Sequence, residues 1–236
     1  MDKTLYPREM IEFLQTHAAD RVDEICAKLD LYTDCLIETN KQFNLTAITD
    51  PEQIRILHHL DSMQAAPLLT QGARVADVGS GAGFPGIVLA LMRPDCSFTL
   101  MDSLNKRVNF LQRVIEMLGL TNCTAIHTRA EDAARTMRGQ FDCTTARAVA
   151  ALPTLLEYCC PLTRAGGKVI AYKGDRATEE LQLATRAMQQ LGCKIAEDKT
   201  YVLPDCMERH LLVFDQSAAC PTRYPRGGNK PRIQPL

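Results

Sequence analysis

Residues 77–90 read DVGSGAGFPGIVLA, and two glycine patterns overlap in them. Gly79, Gly81 and Gly83 form a GxGxG run, while Gly81, Gly83 and Gly86 form GxGxxG. Either pattern puts a nucleoside-bearing cofactor on a strand-to-helix turn, but the chemistry differs. A dinucleotide presents a pyrophosphate that needs N–H groups at the start of a helix. S-adenosylmethionine has no phosphate and carries a sulfonium cation. Asp77, two residues ahead of the first glycine, suits a cation. Pro85 stands where the GxGxxG reading needs an N–H donor, and proline has none. Together these residues favour S-adenosylmethionine over NAD.

Further along, Asp102 closes the apolar run SFTLMD about twenty residues beyond the glycines, where an acid can hydrogen-bond ribose hydroxyls. Ser103 follows it and serves equally well as a helix N-cap. RAED (129–132) places acids where the loop after a third strand would meet an adenine, although acids at a surface loop also serve solubility. After the fourth strand the chain has TARA (145–148), so the [DN]-P-P-[YFW] signature of exocyclic-amine methyltransferases is missing. The ten cysteines are scattered with no C-x-x-C pair, which reads as reduced, small hydrophobes and offers no covalent-adduct chemistry. The histidines at 17, 58, 59, 127 and 210 lack metal-ligand spacing, and His58 and His59 read as helix-packing residues. No metal is expected.

The elements that must carry these residues can be read from the pattern. Apolar positions at helical spacing predict two helices over 8–43 and a third over 51–69. From Arg74 the chain alternates strands (74–77, 97–101, 123–127, 142–147, 168–172) with helices (86–92, 106–118, 152–162, 178–191), which predicts a parallel sheet covered on both faces. The last two strands, 193–204 and 209–216, are joined by a short loop and must pair antiparallel. The expected fold is therefore α/β, a class I S-adenosylmethionine-dependent methyltransferase (Rossmann-like) sheet. It is mostly parallel, with a terminal antiparallel hairpin and an N-terminal helical extension. The boundaries read 1–70 for the extension, 71–216 for the methyltransferase domain and 217–236 for a basic tail.

With 46% hydrophobic and 23% charged residues the chain is ordinarily globular. Its longest apolar stretch, GIVLALM, is far short of the ~20 residues of a membrane span. No signal-peptide layout opens the sequence, so the expected location is cytoplasmic. Residues 1–50 hold five Lys/Arg against ten Asp/Glu, whereas 223–236 hold four cations and no acid. A basic end of this kind suits nucleic acid, though solubility alone would explain it.

Seven segments, NLTAI (44–48), HHLDS (58–62), DVGSGAGFPGIVLA, DSLNKRVNFL (102–111), TARAVAAL (145–152), GGKVIAYKG (166–174) and YPRGG (224–228), fall in one order and spacing. In them the chain resembles the bacterial small-subunit rRNA methyltransferase G family, also called glucose-inhibited division protein B. The resemblance implies methyl transfer from S-adenosylmethionine to N7 of a guanine in the 530 loop of 16S rRNA, within the 30S subunit or its precursor. It implies cofactor contacts at Gly79, Phe84, Ala130, Glu131 and Arg147. Guanine N7 already exposes a lone pair, so no essential general base and no catalytic residue is expected, and placement carries the rate. RNA contacts are expected from Lys106, Arg107, Lys173 and Arg209, and from the end cations Arg223, Arg226, Lys230 and Arg232. A small-molecule methyltransferase, a non-catalytic RNA-binding factor and an NAD-dependent oxidoreductase remain as alternatives.

Overall fold

A computed structural model describes residues 5–236; residues 1–4 of the expected extension lie outside the described residues. The chain opens with α1 (Arg8–His17) and α2 (Val22–Asn40). Ile25, Leu29, Tyr32 and Leu36 recur at helical spacing on α2, and all are buried against the sheet domain.

Seven strands follow: β1 (Arg74–Val78), β2 (Ser97–Asp102), β3 (Cys123–His127), β4 (Phe141–Arg147), β5 (Thr163–Lys173), β6 (Cys193–Leu203) and β7 (Met207–Gln216). Their spatial order is β3-β2-β1-β4-β5-β7-β6. The first five run parallel, and β7 inserts antiparallel between β5 and β6. This is the sheet expected, hairpin included. Its central strands can be near-continuous apolar runs because both faces are covered, as in β1, where all residues after Arg74 are buried. The covering helices are α5 (Gly86–Met92), α6 (Asn105–Met117), α7 (Ala130–Thr136), α8 (Leu152–Cys159), α9 (Ala177–Leu183) and α10 (Thr185–Leu191). One apolar core joins α1 and α2 to the sheet and α5; a second lies under α8 and α10 on the other face.

Three local differences from the sequence reading bear on the site. The helix expected over 51–69 is broken into α3 (Pro51–Ile54), a π-helical turn Arg55–Leu60 and α4 (Asp61–Met63). The wider turn brings His58 and Asp61 to the same partner, Arg147. RAED, expected as a loop, instead opens α7. The helix expected over 178–191 divides at Ala184: α9 is aimed by Glu180, which takes the Leu152 N–H, and α10 by the buried Ala187 and Leu191.

The C-terminal segment, expected as a basic tail, is laid onto α8. Tyr224 and Pro231 are buried, the Thr154 hydroxyl donates to the Pro231 carbonyl at 2.6 Å, and Arg226 pairs with the fully buried Glu157 at 2.7 Å. It ends in a single helical turn, α11 (Lys230–Ile233). No helix among the described residues is long and apolar enough to cross a membrane.

Candidate active site

The turn after β1 curls over the end of β2. Gly79 N–H and Ser80 N–H both donate to the Met101 carbonyl, and Gly81 N–H donates to the Asp102 carboxylate at 2.9 Å. The other oxygen of Asp102 takes the Leu104 N–H at 2.9 Å, so the acid is fixed by backbone on both sides. Gly79 has φ +71, and a Cβ there would come within 2.7 Å of Val149 Cγ2. The glycine is required both by the left-handed backbone and by the close approach of the segment after β4.

Above this turn, at the carboxyl ends of β1, β2, β3 and β4, is a cavity of about 330 Å³. That edge of an open α/β sheet is where ligands bind. Gly79, Asp102, Ser103, Ala130 and Glu131 all line it, joining five of the expected cofactor residues in one place. Arg107 and Arg232, expected on RNA, also line it, and Arg107 lies 3.4 Å from the Asp102 carboxylate. The residues fit S-adenosylmethionine: Gly79 permits close approach of a ligand to the backbone, the acids Asp102 and Glu131 could accept from a nucleoside, and Arg107 and Arg232 could meet the amino-acid carboxylate. Among the described residues no cluster of His, Cys, Asp or Glu could hold a metal ion.

The other expected cofactor residues sit elsewhere. Asp77 is fully buried beneath the turn, its carboxylate taking the Thr145 hydroxyl at 2.9 Å and Gly86 N–H at 3.2 Å, and it does not line the cavity. Burial pushes its pKa up to about 6 against these hydrogen bonds. The expectation that Asp77 contacts the cofactor therefore differs from its placement, which ties β1 to the start of α5. Gly83 abuts the Tyr32 hydroxyl and Ile87. Phe84 is buried, stacked on His58 at 4.4 Å and on Tyr32 at 5.1 Å, with the Arg147 guanidinium 5.2 Å above its ring.

Arg147 faces a second, larger cavity of about 750 Å³ between β4, β5, α9 and the π-helical turn. It donates to Asp61 at 2.8 Å, to the Leu57 carbonyl at 2.8 Å and to His58 Nδ1 at 3.0 Å. Burial and the Arg147 charge hold the His58 pKa down at about 3, so the ring is a neutral acceptor. Asp61 is also the acceptor of the Tyr201 hydroxyl at 2.6 Å. Ala148 and Val149 line both cavities and form the wall between them. Sequence reasoning missed this wall, the Asp61–Tyr201 contact and Glu180; the TARAVA segment was the available signal for the first.

The expected RNA cations are likewise divided. Lys106 is exposed above the Phe43 ring at 5.3 Å, Arg209 lines the second cavity, and Arg223 and Lys230 are exposed. Lys173 and Arg226, in contrast, are held in internal ion pairs with Glu180 and Glu157.

The 3-2-1-4-5-7-6 sheet with a glycine turn and an acid at the end of β2 defines the class I S-adenosylmethionine-dependent methyltransferase fold. A SAM-dependent O-methyltransferase from Thermotoga maritima shares it at a TM-score of 0.51 and 16% identity, over 76% of this chain and 71% of that one. The profile of the family described as rRNA small subunit methyltransferase G matches residues 25–211, and the chain belongs to that family. Similar relatives include the ribosomal RNA small subunit methyltransferases G of Desulfitobacterium hafniense and Lactiplantibacillus plantarum. The first is 44% identical over 89% of this chain and 88% of its own length, the second 41% identical over 98% of each.

Proposed function

We propose that the protein transfers a methyl group from S-adenosylmethionine to N7 of a guanine in the 530 loop of 16S rRNA, acting in the cytoplasm on the 30S subunit or its precursor. The observation that carries this reading is the pair of cavities meeting at Ala148–Val149. One side has the backbone and acid for a nucleoside cofactor, and the other has room for a nucleobase beside it. Family membership supplies the RNA.

When bound, S-adenosylmethionine supplies an electrophilic methyl on sulfonium; the N7 lone pair takes it, and the C–S electrons stay on sulfur. The chain's task is placement, which alone can supply ~7–11 kcal/mol. Gly79 and Asp102 fix one partner, and the wall at Ala148–Val149 sets the approach of the other. No proton leaves N7, and His58, already donated to by Arg147, is held as a neutral structural acceptor. A-form duplex hides the N7 edge, so the target must be unpaired or drawn out of its stack into the second cavity. Arg209, which lines that cavity, and the exposed Lys106, Arg223 and Lys230 elsewhere on the surface supply phosphate contacts, each steepening the salt dependence by ~0.7–0.9 in log–log slope.

Transfer of labelled methyl to 16S rRNA, naked and in 30S particles, followed by digestion to nucleosides, tests the reading. Label in 7-methylguanosine is expected. Label on another base, or on another RNA in preference, overturns it.

A further inference from the structure

Inside the second cavity, Lys173 and Glu180 form an ion pair at 2.7 Å, with only 8% and 19% of their side chains exposed. A lysine expected to reach an RNA phosphate is thus turned inward. The pair is not spent on itself. Lys173 Nζ donates to Glu180 Oε2 and to the Ala150 carbonyl at 2.9 Å, which uses two of its three protons. Glu180 Oε2 also takes the Leu152 N–H at 2.7 Å, and Oε1 accepts no hydrogen bond among the described residues. One donor and one acceptor therefore remain side by side in a pocket large enough for a base.

Their order relative to the wall matters. Lys173 is tied to Ala150, next to Val149, and Glu180 to Leu152, two residues further along. A base whose N7 faces Ala148–Val149 meets the ammonium first and the carboxylate second. Read away from N7, guanine presents O6, an acceptor, then N1–H and the 2-amino group, both donors. Adenine presents N6–H₂, a donor, then N1, an acceptor, which opposes both members of the pair.

We propose that Lys173 and Glu180 read the target guanine, Lys173 donating to O6 and Glu180 Oε1 accepting from N1–H. This rests on the methyl acceptor being guanine N7, as proposed above. Enzymes that act on an extruded base read its Watson–Crick edge in this way. A site built to satisfy such groups penalises a base that lacks them, because its own buried polar atoms are then left unpaired.

The test uses 30S particles carrying guanine or 2-aminopurine at the target position; 2-aminopurine keeps N7 but lacks O6 and N1–H. Wild-type protein is expected to favour guanine by at least about 10-fold in kcat/KM, and to show the same preference in equilibrium binding with S-adenosylhomocysteine present. Glu180→Gln and Lys173→Met should lower kcat/KM on guanine by about 10–100-fold and bring both ratios toward one. Their S-adenosylmethionine affinity should be unchanged by calorimetry. Variants that keep the wild-type rate and ratios, or that lose cofactor affinity in step with activity, overturn the proposal. If the wild-type protein places no methyl on guanine N7 at all, the function itself fails, and the inference with it.

Discussion

Arg147 and Asp61, eighty-six residues apart in sequence, form an ion pair at 2.8 Å with 15% and 6% of their side chains exposed. The pair fixes the end of β4 to the start of α4, just past the π-helical turn, and through it one side of the wall between the two cavities. Replacing Asp61 with Ala leaves a mostly buried guanidinium uncompensated, which costs about 3 kcal/mol. Tyr201→Phe removes only one hydrogen bond to Asp61 and should cost about 1 kcal/mol. Urea unfolding distinguishes the two; equal effects, or an effect of Asp61→Ala below about 0.5 kcal/mol, would show that the pair is not holding the turn.

The C-terminal segment should matter to the cofactor as well as to RNA. Asn229 and Arg232 line the same cavity as Gly79 and Asp102, and the segment is anchored by Arg226 on Glu157, which has no exposed surface. Removing residues 223–236 is expected to weaken S-adenosylmethionine binding and lower the unfolding temperature together. Arg226→Ala should reproduce much of the loss, at about 3 kcal/mol, by stranding the Glu157 charge. Calorimetry showing intact cofactor affinity, with only RNA capture reduced, would restore the view of this segment as a simple basic tail.

Stability should fall on mild acidification. Burial, with charge from Arg147 adding to it at His58, holds the His58 and His59 pKa values at about 3, against 6.5 in the unfolded chain. Between these values the unfolded chain binds more protons, so stability present at pH 7 is lost as pH drops below about 6.5. Asp77 works in the opposite sense: its pKa, raised to about 6, lets the folded protein take up a proton first, and stability is gained as pH falls through that value. From pH 7 to pH 5 the histidines lose about 4 kcal/mol and Asp77 offsets about 1, a net loss of about 2–3 kcal/mol. Denaturant unfolding at the two pH values checks this; equal or greater stability at pH 5 contradicts it.

Local chemistry made the sheet and the glycine turn readable. Apolar strand runs such as RVADV alternating with helical segments long enough for crossovers dictate a parallel sheet, and the hairpin after β5 follows from a linker too short for a crossover. Gly79 could be singled out by type, but its second reason, the approach of Val149, is tertiary. The wall itself was not legible, since Ala148 adopts φ +56 without the glycine or asparagine that normally signals it. Nor were the partners of Arg147 and Lys173, which come from distant elements. Charge counting placed Lys173 and Arg226 on the RNA because a sequence does not show which carboxylate, Glu180 or Glu157, folds back against each.

The central claim is that an adenosine-linked sulfonium is held at the turn after β1, against Gly79 and Asp102. Calorimetric titration of the wild-type protein and Gly79→Asp with S-adenosylmethionine and NAD tests it most directly. Wild-type protein should bind one S-adenosylmethionine per chain and no NAD. Gly79→Asp, whose Cβ alone would press on Val149, should bind neither. NAD binding to the wild-type protein, or undiminished S-adenosylmethionine affinity in a folded Gly79→Asp variant, would contradict it.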